Sequence, residues 1–120
     1  MNFFDNPTIR GLENYLEVTA LREKITTANI ANIDTPGYRT LDINFLEALH
    51  NAALHAGGTP FAPLVFHVQG LIERPDGNNV SVDRESVILT GVQLEYRAAV
   101  ALLHQEFKQI EAAINANGGA

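Results

Sequence analysis

Ala28-Asn29-Ile30-Ala31-Asn32-Ile33-Asp34-Thr35-Pro36-Gly37-Tyr38 is the stretch on which the fold turns. Thr35 precedes a proline and is pushed out of the helical region towards an extended one. Pro36 has no backbone N–H to give. Gly37 accepts the positive φ that a type II turn requires after proline. A helix arriving from the N-terminal side therefore stops near Ile33 or Asp34. Asn29 and Asn32 share one face of its last turns. Each amide both donates and accepts, so the pair suits either the backbone of the turn or a neighbouring chain. An ordinary helix stop accounts for the same residues. Tyr38 follows as a large amphipathic ring.

Towards the N-terminus, Asn6 is an N-cap with Pro7 in the first helical position. Leu12, Tyr15, Leu16, Thr19, Ile25, Ala28 and Asn32 recur at threes and fours. This predicts an amphipathic helix within 6–34, about 25 residues and ~38 Å long. Glu13, Glu17, Arg22, Glu23 and Lys24 form a solvated strip. Gly11 is a weak point.

Beyond Tyr38 the period changes. Leu41, Ile43 and Phe45 alternate with Thr40, Asp42 and Asn44, as in an extended segment. Asn44 and Glu47 resemble a capping box, with Asn in place of Ser or Thr. Leu46, Leu49, Ala53 and Leu54 then predict a short helix ending at Gly57-Gly58. Thr59-Pro60 and Pro63 keep the next stretch out of helix. Leu64–Val68 and Leu71–Arg74 are strand-like, with a turn or bulge at Gln69-Gly70. Pro75-Asp76-Gly77-Asn78-Asn79 is a turn cluster. Residues 35–82 thus read as a turn, a short helix and a small β or irregular insert.

Asp83 is a candidate N-cap for the last helix, 83–116, with Val82 and Val87 as a hydrophobic staple. Gly91 costs that helix about 1 kcal/mol against alanine. Val92, Tyr96, Ala99, Leu103, Phe107, Ile110 and Ile114 step by fours and threes, like a coiled-coil seam. The helix runs for about 32 residues, ~48 Å, until Asn117-Gly118-Gly119. The fold expected is one mainly α domain over 1–120. Its long end helices pair as a coiled-coil-like hairpin, with Leu12, Leu16, Ile25 and Ala28 facing the second seam. Val18, Leu21, Ile30, Ile33, Leu94, Val100 and Leu102 fall partly outside these stripes. Either the insert covers them or they are surface for other subunits.

Of the 120 residues, 46% are hydrophobic and 18% charged, which is not the composition of a disordered tail. A net charge of -6 without a basic run argues against a nucleic-acid partner. The chain has no cysteine, so disulfides and thiolate metal sites are excluded. No apolar run approaches a membrane span, so the chain is read as not itself membrane-spanning. Met1-Asn2-Phe3-Phe4-Asp5 lacks the basic and apolar regions of a secretory signal.

Catalysis needs convergent groups, and none stands at a usable spacing. His50 and His55 do not share a helical face well, and His67 and His104 are isolated. No His-Glu-x-x-His pattern occurs. Asp34 and Asp42 have no accompanying nucleophile. Gly57-Gly58 and Gly118-Gly119 lack the strand-to-helix context of a phosphate loop. Ser81 and Ser86 lack elbow glycines. The reading is a non-catalytic protein without metal or cofactor.

The opening stretch resembles the N-terminal signature of the bacterial flagellar axial (rod and hook) family: Asn29-Ile30-Ala31-Asn32, a short step, then Thr35-Pro36-Gly37-Tyr38. Asn78-Asn79-Val80-Ser81-Val82-Asp83-Arg84-Glu85, Leu94-Glu95-Tyr96-Arg97-Ala98 and Leu41-Asp42-Ile43-Asn44-Phe45 are similar to segments of its short proximal-rod group, the FlgB type. The resemblance covers most of the chain outside about 56–76. It departs at Arg97, where glutamine is usual, and at the apolar Ser86-Val87-Ile88-Leu89-Thr90. The resemblance implies a structural subunit of the flagellar basal-body rod, in the periplasm, exported through the flagellar type III apparatus without a cleaved signal peptide. Its terminal helices would assemble in a helical array, with the signature residues and the seam making subunit contacts. Implied partners are further copies of itself, other rod subunits (FlgC and FlgF types), the FliE-type junction protein, the export gate and the MS ring. The alternatives are another proximal rod subunit (FlgC type) and a soluble helical export adaptor or chaperone.

Overall fold

The structure, a computed structural model, describes residues 6–54 and 63–118. Met1–Asp5, His55, the Gly57-Gly58 stop, Thr59-Pro60 and Gly119 lie outside the described residues.

Helix α1 spans Pro7–Ala31. Asn6 caps it as the sequence expects: its backbone is extended, and its Oδ1 accepts from Thr8 N at 2.9 Å and Ile9 N at 3.4 Å. The helix stops slightly before the expected Ile33 or Asp34. Asn32 N–H is shared by the carbonyls of Ala28 and Asn29, and Ile33 N–H reaches Ile30, so the last turn tightens ahead of Thr35-Pro36.

Strand β1 (Leu41–Ile43) pairs antiparallel with β2 (Val65–His67), Leu41 opposite His67 and Ile43 opposite Val65. Helix α2 (Phe45–Leu54) begins directly after β1, capped by Asn44 Oδ1, which accepts from Glu47 N at 3.1 Å. The strand expected at Leu71–Arg74 is absent. Arg74 N–H is taken by Asn78 O at 2.8 Å, closing a turn over Pro75–Gly77 instead of joining the sheet.

Helix α3 spans Val82–Gly118. Its cap is Ser81, not Asp83: Ser81 Oγ accepts from Arg84 N at 3.3 Å, and Asp83 lies in the first turn. The expected staple does not form, since Val82 and Val87 are 50% and 73% exposed.

The described residues pack in two zones. In one, Val18 of α1 meets Ile43, Ala48 and Ala52, with Leu21, Ile25, Phe45 and Leu49 around them. Tyr15 stands edge-on to Phe45 at 5.3 Å. The insert therefore covers Val18 and Leu21, and it claims Ile25 as well. In the other zone α1 lies along α3, where Val92 and Ala99 are buried. Asn6 Nδ2 donates to Glu106 Oε1 at 3.3 Å, which sets the start of α1 beside that turn of α3. Residues 111–118 of α3 are exposed throughout. The result measures 72 × 27 × 18 Å, with a radius of gyration of 18.8 Å. A globular chain of this length would have about 14 Å.

One correction concerns membranes. A window of α3 has a mean hydropathy of 1.3 and is long and apolar enough to span by length and composition. This stretch is not an unbroken apolar run, because Glu95 and Arg97 interrupt it. Glu95 and Arg97 stand in the middle of α3, and ionisable groups there are costly in hydrocarbon. The amphipathic helix has α1 to lie against, and this is the arrangement seen.

Candidate functional site

The signature stretch forms one wall of a buried polar core. Tyr38 N–H donates to Thr35 O at 3.2 Å, and Gly37 has φ 76°. This is the type II turn that Pro36-Gly37 predicts. Behind it, Asn29 is 1% exposed. Its Nδ2 donates to Leu41 O (2.8 Å) and Glu85 Oε2 (3.1 Å). Its Oδ1 accepts from Tyr38 OH (2.9 Å) and Leu41 N (3.1 Å). The full capacity of the amide is used, joining α1, the segment after the turn and α3.

Asn32 behaves differently. Its Nδ2 returns to Ala28 O at 2.8 Å, and its Oδ1 accepts from Thr35 Oγ1 at 3.1 Å. It trims the helix end locally. Ile30 is half-buried, while Ala31, Thr35, Pro36 and Gly37 are exposed.

The second wall comes from residues 74–79, the end of the expected second strand and the turn cluster, to which the sequence reading gives no bonding role. Asn78 Nδ2 donates to Asn32 O and Thr35 O, both at 2.9 Å, and so binds the turn from below. Asn79 Oδ1 accepts from Thr40 N at 2.7 Å and pairs with its hydroxyl at 2.9 Å. Arg74 donates to Ile33 O, and Gly37 N–H donates to Asp76 O at 2.9 Å. The Pro75-Asp76-Gly77 turn therefore lies against the Pro36-Gly37 turn. The two adjacent asparagines that close the turn cluster are the available signal for this role, because Asn side chains readily replace backbone partners.

Charge closes the core. Asp42 accepts from Arg22 Nε (3.2 Å), from Arg84 (2.7 Å) and from Ile43 N (2.8 Å). Burial pushes its carboxyl up, but the two guanidiniums and the Ile43 N–H outweigh that and hold it below the ordinary carboxylate value. Glu85, 0% exposed, accepts from Arg84 at 2.6 Å besides Asn29. Burial, and then the Glu85 charge, push the Tyr38 hydroxyl up. Asn29, Asp42, Asn78, Asn79 and Glu85 all have hydrogen-bond partners within this core. Among the described residues, no three His, Asp or Glu could hold a metal ion.

The expected seam divides. Val92 and Ala99 are buried, and Leu12, Leu16, Leu103 and Ile110 are half-buried. Ala28 is exposed, and Ile25 packs on the insert. Tyr96, Phe107 and Ile114 are 40%, 51% and 49% exposed. Glu85, Glu95 and Glu106 are buried or half-buried on α3. Burial, and then the Glu95 charge, push the Tyr15 hydroxyl up, and Asn6 hydrogen-bonds Glu106.

Comparison with known proteins gives this geometry a family. A family model described as flagella basal body rod protein matches residues 16–39, from mid-α1 through the Pro-Gly turn. The chain is 32% identical to the flagellar basal body rod protein FlgB of Bacillus subtilis over 116 residues, covering 87% of this chain and 90% of that protein. It is 29% identical to FlgB of Salmonella typhimurium (83% and 87% covered) and 32% identical to FlgB of Aeromonas hydrophila (80% and 84% covered). With 32% identity to two such proteins over 80–87% of its length, the chain belongs to the FlgB family of flagellar basal body rod proteins, structural subunits and not enzymes.

Proposed function

We propose that this rod subunit assembles in the proximal rod through its terminal helices, binding copies of itself and other rod subunits and linking the MS ring and export gate to the rod. The observation that carries this is the apolar surface that α3 leaves exposed. Only Glu85, Val92 and Ala99 of its 37 residues are buried, while Val87, Leu94, Val100, Leu102 and Phe107 are 43–73% exposed. That apolar surface is what a helix–helix array would cover. The polar core supports a second part of the reading. It makes the Pro-Gly turn a fixed projection, with Asp34, Thr35, Pro36 and Gly37 exposed for a neighbour. In this reading the subunit reaches the periplasmic rod by flagellar export without cleavage. Its neighbours are FlgC- and FlgF-type subunits and the FliE-type junction protein.

Leu94→Asp tests it. Leu94 is 68% exposed, so the change leaves the fold intact. The expected result is normal secretion with loss from purified basal bodies. Wild-type incorporation would remove this face from the assembly.

A further inference from the structure

Between α1 and α3 lies a cleft of 160 Å³ lined by Leu12, Tyr15, Glu95, Ala98, Ala99 and Leu102. Its walls are apolar except for Tyr15 and the Glu95 carboxylate. Glu95 Oε2 is shielded from solvent and has no hydrogen-bond partner among the described residues. A shielded carboxylate oxygen without a donor is costly, and so is an unfilled cleft beside it. Ala98 and Leu102 on the rim are exposed, so the cleft opens at the surface. An aliphatic stem ending in a cation matches this chemistry: methylenes along Leu12, Ala98 and Leu102, and N–H donors at Glu95.

The same helix carries such a group on its other side. Arg97, two residues after Glu95, is exposed and makes no ion pair among the described residues. It borders a shallow groove with Tyr96, Val100, Ala101 and His104. Positions two apart on a helix point to nearly opposite sides. One copy therefore presents an unfilled anionic cleft in front and an unpaired guanidinium behind. That is the arrangement of a heterologous, head-to-tail contact, which extends instead of closing. The net charge of -6 sharpens the point, because copies repel unless specific opposite charges meet.

We infer that the Glu95 cleft is the socket for Arg97 of a second copy of this chain, giving the self-contact its register. This rests on the rod-subunit reading above and deepens it.

The chain has no cysteine, so introduced thiols report cleanly. Copies with Ala98→Cys, on the cleft rim, are mixed with copies with Ala101→Cys, beside Arg97, and oxidised in assembling basal bodies. The expected result is a 98–101 cross-link. Glu95→Gln or Arg97→Gln should reduce it about tenfold. Arg97 is exposed, so its variant cannot act by unfolding. Glu95→Arg copies alone, or Arg97→Glu copies alone, should not cross-link. Mixed together they should, because each then meets the opposite charge. A cross-link indifferent to these changes, a mixture no better than either variant alone, or thiols that capture only a different rod subunit would overturn the inference. In all three cases the protein would still be found in basal bodies, so the rod reading would stand. Its absence from basal bodies as wild type would instead remove that reading.

Discussion

Asn29 of α1 donates to Glu85 of α3 at 3.1 Å, and the two side chains are 1% and 0% exposed. This bond ties helices far apart in sequence at the closed end of the hairpin, with Leu41 and Tyr38 on the same amide. Asn29→Ala leaves the Glu85 oxygen and the Leu41 backbone without partners, at a cost of about 3 kcal/mol. Asn32→Ala loses only bonds to Ala28 O and Thr35 Oγ1 beside solvent. It should change stability by less than about 0.5 kcal/mol. Urea unfolding of the two single variants checks the contrast, and equal costs would contradict it.

Much of the fold is legible in the sequence, for local reasons. Asn6-Pro7, the Asn44 cap and the Pro36-Gly37 turn depend on neighbours in sequence. Asn29 and Asn32, equivalent by spacing, have unlike roles because only Asn29 faces Leu41 and Glu85. Glu85 stands in the first turn of α3, a position where an acid is ordinarily solvated beside the helix N-terminus. Its burial depends on Arg84 and on an asparagine far back in the chain, which no local pattern signals. The phase of the seam is obscured in the same way. Tyr96 and Phe107 fit the repeat, but Glu95 lines one cleft with Tyr15, and Asn6 holds Glu106 by a hydrogen bond.

Gly77 has φ 87°, and a Cβ built on it would lie 3.3 Å from Gly37 Cα. Gly37 has φ 76° but nothing within 4 Å of such a Cβ. Gly77→Ala meets both backbone strain and a backbone wall, so it should cost about 2 kcal/mol. Gly37→Ala, strained only, should cost about 1 kcal/mol. Thermal melts of both variants test the order. Because Gly37 N–H is held by Asp76 O, Gly77→Ala should also speed hydrogen exchange at the Gly37 amide.

Asp42 sets the acid limit. Its carboxyl is held below its unfolded value of about 3.9, the arginines and the Ile43 N–H overriding burial. A carboxylate lowered on folding adds stability that is present above the unfolded value and lost as pH falls through the folded one. Unfolding midpoints should therefore hold steady from neutral pH and fall below about pH 4. Asp42→Asn should flatten part of that fall. It should also lower neutral stability by about 2 kcal/mol, because Arg22 and Arg84 lose their shared anion. An unchanged acid slope in the variant would remove Asp42 from this role.

Leu103 and Phe107 separate folding from assembly. They lie one turn apart on α3, yet Leu103 is half-buried in the monomer and Phe107 is 51% exposed. Leu103 shares its helix face with buried Ala99 and with Glu106, which Asn6 holds. Leu103→Asp places a charge in that contact and should lower monomer stability by about 2 kcal/mol. Phe107→Asp removes an exposed ring and should cost less than about 0.5 kcal/mol. If the exposed apolar surface of α3 meets neighbouring subunits, both variants should lose swimming, for different reasons. The Leu103 variant would be scarce or unfolded before export. The Phe107 variant would be folded, exported and missing from basal bodies. Thermal melts, export fractions and basal-body blots on the two strains read the three quantities separately. Normal swimming with Phe107→Asp would show that this ring has no neighbour, and the contact face would then have to lie elsewhere on α3.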